Sequence, residues 1–187
     1  MKLPFVWELN YKGIISHGVG LDYGVPNKYQ KDIEKFLEGK EKLLVEKSIV
    51  GECFFQPFPL NPAIQDTACK MKIPVISLET PKEHAYAGLV YKGKPNDQHV
   101  REKIIIAYNE GDEKTIRSLV LENLKNRFSG ADIGRIRRRT QRLGLRSLEH
   151  MVQHSCMMTV GVFHFTAYQP TLIDFYKEKG IEVKRVQ

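Results

Sequence analysis

The stretch "CMMTVGVFHF" (156–165) decides how the chain is read. Its first residues, Cys156 to Val160, are almost wholly apolar, as in a buried strand, and the run continues through Gly161 to a histidine three residues later. A polar ring at the tip of so apolar a strand needs a reason. A second stretch, "IISHGVGLDYG" (14–24), has a glycine at position 20 but Tyr23 where the later one carries His164. The spacing extends further: Gly20 to Gly39 and Gly161 to Gly180 are both 19 residues, and each first glycine ends a strand while each second ends a helix. With no further copies, this weak repeat predicts two pseudo-equivalent strand–helix–strand units and excludes a solenoid.

Working outward, "FVWEL" (5–9) and "GIISHGVG" (13–20) predict two strands around a turn at 11–13. Asn27 would cap a helix whose Tyr29, Ile33, Phe36 and Leu37 share a face, and "KLLVEK" (42–47) returns as a strand. "NPAIQDTACKM" (61–71), with Asn61 as cap and Pro62 at the first helical position, leads into a strand at "IPVISLE" (73–79). From about Asp97 the pattern is mostly helical. The last block predicts a strand at 156–161, a helix over about 169–179 and a strand at 181–186. The expectation is an α/β fold in a single domain, 1–187, with strand–helix–strand units at both ends and a helical insertion over about 97–154.

At 187 residues and 42% hydrophobic residues the chain can bury a core of one ordinary domain. Three scattered cysteines without a CxxC offer neither a disulfide framework nor a thiolate zinc site, so a reducing compartment is expected. Pro4 and Glu8 interrupt the N-terminal apolar residues before a signal sequence can form, and no window approaches a membrane span. A cytoplasmic protein is the expectation. The net charge of +7 resides in one window: residues 125–146 hold Lys125, Arg127, Arg135, Arg137, Arg138, Arg139, Arg142 and Arg146 against Asp132 alone. Ile133, Ile136, Thr140 and Leu143 follow helical spacing there, which predicts the arginines on the opposite, wet face.

In an open α/β sheet, polar residues just beyond the carboxyl ends of the strands line the ligand crevice. Asp22 and Tyr23 follow the first glycine, Glu46 ends "LLVE", Glu79 ends "VISLE", and His164 follows the second glycine. Carboxylates and an imidazole converging there would suit a divalent metal or an acid/base pair that activates water. The bland alternatives are a hydrogen-bonded structural histidine, solvated glutamates, and glycines that serve only turns or close packing.

These elements, in this order, resemble the TraB/GumN/Tiki family, which belongs with the ChaN haem-uptake proteins and the erythromycin esterases. The residues that carry the likeness are "FVWELNYKGIISHGVG" (5–20), "KLLVE" (42–46), "AIQDTACKMKIPVISLETPKEH" (63–84), "AYNEGD" (107–112), "TVGVFHF" (159–165) and "LIDFYKEKGIEVKRV" (172–186). The family's hallmark is two Gly-x-x-His motifs at strand ends with glutamates between them. The second is intact as Gly161-Val162-Phe163-His164. The first reads Gly20-Leu21-Asp22-Tyr23, His84 replaces a glutamine after the Leu-Glu-Thr element, and Phe128 follows Arg127 where an asparagine is expected.

The resemblance implies a metal-dependent hydrolase, peptidase- or esterase-like, acting on a small molecule or peptide. Glu46, Glu79 and His164 would do the chemistry, and Arg127 would clamp an anionic or carbonyl group. Gly20, Tyr23 and Gly161 would shape the ligand crevice, with Tyr23 able to donate a hydrogen bond. Asp22, Glu46 and His164 would hold a divalent Mn, Zn or Mg ion, the oxygen-rich set favouring Mn or Mg. His17 is read as structural. The broken first motif equally implies an inactive member that binds a ligand or partner. A third reading is a nucleic-acid binder working through "RIRRRTQR" (135–142), against which stands the lack of interleaved aromatics.

Overall fold

The computed structural model describes residues 3–21, 29–46, 60–83 and 98–187. Strands β1 (Val6–Tyr11) and β2 (Ile14–Leu21) form the expected hairpin, with Val6 opposite Val19 and Tyr11 opposite Ile14. Its two-residue turn places Lys12 at φ 50° and Gly13 at φ 89°. Positive φ at both central positions matches the twist of the flanking strands, and Asn10 Oδ1 secures the turn by accepting from Gly13 N at 2.9 Å.

Four more strands, β3 (Lys42–Val45), β4 (Val75–Ser77), β5 (Cys156–Gly161) and β6 (Glu182–Arg185), complete one sheet in the order β4, β3, β5, β2, β1, β6. Strand β1 is antiparallel to β2 and β6, and β2, β5, β3 and β4 run parallel, so β1 alone is reversed. The five buried residues in succession on β5 suit a central parallel strand covered on both faces. Edge strand β6 carries Glu182, Lys184 and Arg185 exposed, charges that discourage further pairing.

Helices lying wholly within the described residues are α1 (Gln30–Leu37), α2 (Leu60–Lys70), α3 (Gln98–Glu110), α4 (Glu113–Arg127), α5 (Gly130–Met151), α6 (Val162–Thr166) and α7 (Leu172–Glu178). Ser129 with Asp132 and Thr171 with Asp174 form capping boxes at α5 and α7, each satisfying first-turn donors reciprocally. The α/β architecture with a helical middle is as expected, and both terminal units are parallel β-α-β crossovers. Gly39 (φ 71°) and Gly180 (φ 76°) end α1 and α7 in the left-handed conformation, as the overlay requires.

Three local readings change. Helix α2 begins at Leu60, so Asn61 and Pro62, expected as its cap and first helical residue, stand inside its first turn. The sequence pattern extends the fourth strand to Glu79, yet β4 ends at Ser77; Leu78 N and Glu79 N still bond to Val45 O and Glu46 O. The helix expected over about 169–179 starts only at Leu172, because Pro170 lacks a donor and disfavours helix before it; a separate turn, α6, begins straight after Gly161. The expected cap Asn27 lies outside the described residues.

Neighbouring positions of β2 reveal the layers. His17 packs its ring 5.1 Å from that of Phe36 on α1, whereas a Cβ at Gly18 would stand 2.8 Å from the Phe165 ring of α6. Successive strand residues face opposite sides, so α1 and α6 cover opposite faces. The chain leaves β2 towards β3 and leaves the adjacent β5 towards β6. That reversal opens a crevice at the carboxyl ends of β2 and β5.

A candidate active site around Arg139

Three strand ends and one long helix bring the site together. Glu46 follows β3 and Glu79 follows β4, and the Glu79 N to Glu46 O bond (2.9 Å) sets the two acids side by side. Gly161 closes β5, and its N–H donates to Glu46 Oε2 at 2.8 Å. His164 hangs from α6 one turn later, and helix α5 supplies Arg139 and Thr140.

Arg139 is the hub. Its Nε donates to Glu79 Oε1 (2.7 Å), and its Nη2 to Glu79 Oε2 (2.8 Å) and Glu46 Oε1 (2.8 Å). The two-point clasp on Glu79 uses the planar fork that only a guanidinium provides. Its Nη1 lies 3.5 Å from His164 Nε2, and that nitrogen lies 3.7 Å from Glu46 Oε1. Glu79 is almost fully buried, whereas the Glu46 side chain keeps 17% of its surface open to the crevice.

The tautomer of His164 follows from its neighbours. Thr140 Oγ1 donates to Ile136 O (3.2 Å) and sits 2.8 Å from His164 Nδ1, so it accepts the Nδ1 proton. Arginine offers only donors, so Nε2 presents its lone pair. Burial pulls the imidazole pKa down to about 4; Glu46 opposes the shift, Arg139 adds to it and Glu79 opposes it. His164 is therefore a neutral imidazole at physiological pH, with its basic nitrogen towards the two carboxylates and the guanidinium.

A second clasp holds the same loop. Arg146 Nη1 donates to Leu78 O (2.6 Å) and Glu83 Oε2 (2.8 Å), Nη2 donates to Glu83 Oε1 (2.9 Å), and Arg142 lies 3.4 Å from the same carboxylate. The Arg146 bonds, with the backbone N–H of Thr80, draw the Glu83 carboxyl down to about 2. The expectation that the arginines lie on the wet face is thus corrected for Arg139, whose side chain is 12% exposed, while Arg142 and Arg146 keep 43% and 36% of theirs open to solvent as they pair with Glu83. Arg137 and Arg138 are exposed, but Arg139, Arg142 and Arg146 form a stripe that binds α5 to the residue 78–83 segment.

The structure brings Glu46, Glu79, Gly161 and His164 together, as expected from the sequence. The arginine of the cluster is Arg139 and not Arg127, which sits at the end of α4 and donates to Asn123 one turn back (3.1 Å). Gly20 serves packing: a Cβ there would stand 3.0 Å from Val162 and 3.2 Å from Trp7, and its carbonyl accepts from Tyr108 Oη (2.8 Å). His17 is the packing residue expected, with its pKa lowered to about 4 by burial and then by Lys40. Asp22, Tyr23 and His84 lie outside the described residues.

Arg139 carries a signal the sequence reading missed. Ile136, Arg139, Thr140 and Leu143 fall at i, i+3, i+4 and i+7, so the arginine sits inside the apolar stripe of α5.

Of the three residues that the resemblance assigns to a divalent ion, Glu46 Oε1 accepts from Arg139 Nη2 and His164 Nε2 faces Arg139 Nη1, while Asp22 lies outside the described residues. Among the described residues no three His, Cys, Asp or Glu side chains are arranged to hold a metal. No helix among them is long and apolar enough to cross a membrane. No family model, curated protein or solved structure matches the chain.

Proposed function

We propose that the chain is a TraB/Tiki-like hydrolase of ester or peptide carbonyls whose reactive centre is Glu46, Glu79, His164 and Arg139. The observation that carries the reading is a guanidinium held by two carboxylates beside a neutral imidazole, at the carboxyl ends of adjacent parallel strands. Glu46, the carboxylate open to the crevice, takes the proton of the attacking water and returns it to the leaving alcohol or amine as the C–O or C–N bond breaks, while His164 Nε2 accepts that water's second hydrogen bond. Arg139 Nη1, turned towards His164, is the donor placed for the oxyanion that develops as the water attacks. Glu79 positions the guanidinium from below. No step passes through a metal ion.

The reading places the chain in a reducing, cytoplasmic setting, on the ground of three scattered cysteines that offer no disulfide framework. The test is a panel of chromogenic esters and peptide amides, with wild type beside His164→Ala at matched folding. A saturable rate in the wild type, reduced on the order of 100-fold in the variant, supports the reading. Equal rates overturn it.

A second reading, an inactive family member that binds a ligand or partner, is favoured by one observation. Glu79 and His164 are 3% and 2% exposed, as in a finished structural clamp. It predicts no turnover of any substrate, with His164→Ala changing stability alone.

A further inference from the structure

We infer that the protein has a second ligand site, for a small organic anion bearing a carboxylate or phosphate, in the cavity between α4, α7 and the β1–β6 edge. The cavity measures about 290 Å³, a size suited to a metabolite, and its walls are mostly polar. None of the four reactive-centre residues lines it. The indole of Trp7, stacked on Phe165 with ring centroids 4.5 Å apart, contributes an aromatic wall.

The charges around the cavity do not cancel. Asp174 Oδ2 is engaged by Thr171 N (2.9 Å) and Oγ1 (2.8 Å) in the α7 capping box. Glu113 Oε2 accepts from Arg185 Nη1 at 3.2 Å. The rest of that guanidinium is fixed on three backbone carbonyls, of Pro4 (3.0 Å), Gly111 (2.9 Å) and Gln187 (3.0 Å), which makes it a rigid wall. Arg117 and Lys177 also line the cavity, and neither forms an ion pair among the described residues. Two exposed cations from different helices thus line one polar cavity with Arg185, three positive side chains against the two acids Glu113 and Asp174. A carboxylate or phosphate would pair with both, and its hydroxylated body would bond to the Gln169 and Thr171 side chains.

Helix α6 separates the two sites, with His164 turned to the reactive centre and Phe165 and Thr166 to the cavity. Trp7 is the chain's sole tryptophan, so its fluorescence reports on this cavity. The full chain is titrated with citrate, with ribose 5-phosphate and with uncharged ribose, by fluorescence and calorimetry. An Arg117→Gln/Lys177→Gln variant and an Arg137→Gln control are run alongside, with melting curves verifying the fold. The expected result is saturable binding of at least one anion that perturbs Trp7, is absent with ribose, weakens at least tenfold in the double variant and persists in the control. No saturation by either anion up to about 10 mM, an equal response to ribose, or undiminished binding by the double variant overturns the proposal. Preference between the two anions identifies carboxylate or phosphate as the recognised group.

Discussion

His164 and His17 are imidazoles the fold holds neutral, each with a pKa near 4 against 6.5 in an open chain. Between those values the unfolded chain binds more protons than the native one, so stability rises with pH through that window and is lost as pH falls from about 6.5 towards 4. Melting temperature measured from pH 7 to pH 4 is expected to fall, and ring resonances of His164 are expected to titrate near 4. A His164 titration at 6 or above would contradict the burial and hydrogen bonding described. Arg139 gives the complementary prediction. Arg139→Met leaves Glu79 buried without its clasp and costs about 3–5 kcal/mol in denaturant unfolding, whereas adding Glu79→Met recovers most of it. A single-variant loss below about 1 kcal/mol would show that the clasp is not formed.

Helix α5 presses on α7 through Gly144, where a Cβ would stand 2.7 Å from the Phe175 ring. Gly144→Ala is therefore expected to destabilise by about 1–3 kcal/mol, despite the better helix propensity of alanine, and Phe175→Leu in the same chain to relieve part of that loss. A stabilised Gly144→Ala would mean that the two helices do not meet there. The same helix explains what the sequence conceals. Its apolar period was legible through Ile136, Thr140 and Leu143, but the run of arginines was read by net charge, which assigns every member to solvent. The burial of Arg139 depends on Glu46 and Glu79, acids far away in sequence, so no local pattern of charge could reveal it; only its place within the apolar stripe hinted at it. The start of α7 at Leu172, and not at about 169, is legible in Pro170, whereas the short turn α6 has no signal in the apolar run that continues from β5.

The sheet as a whole shows why the strand ends were readable before the site was. Apolar runs ending in Glu46, Glu79 and Gly161 are local features, and parallel pairing of β3, β4 and β5 necessarily carries their carboxyl ends to one edge. The pseudo-repeat likewise foretold that β2 and β5 hold corresponding places, and they are neighbours in the sheet. The chemistry was less legible, because the same carboxylates and histidine suit an ion or an arginine equally well, and the arginine that engages them comes from α5 in the middle of the chain. The most direct test of an arginine-centred hydrolase is the rate of ester hydrolysis by chelator-treated protein, wild type beside Glu46→Gln. The account predicts that the wild-type rate survives chelation and falls on the order of 100-fold in the variant. A rate abolished by chelation and restored by Mn or Zn, or equal in both proteins, would contradict it.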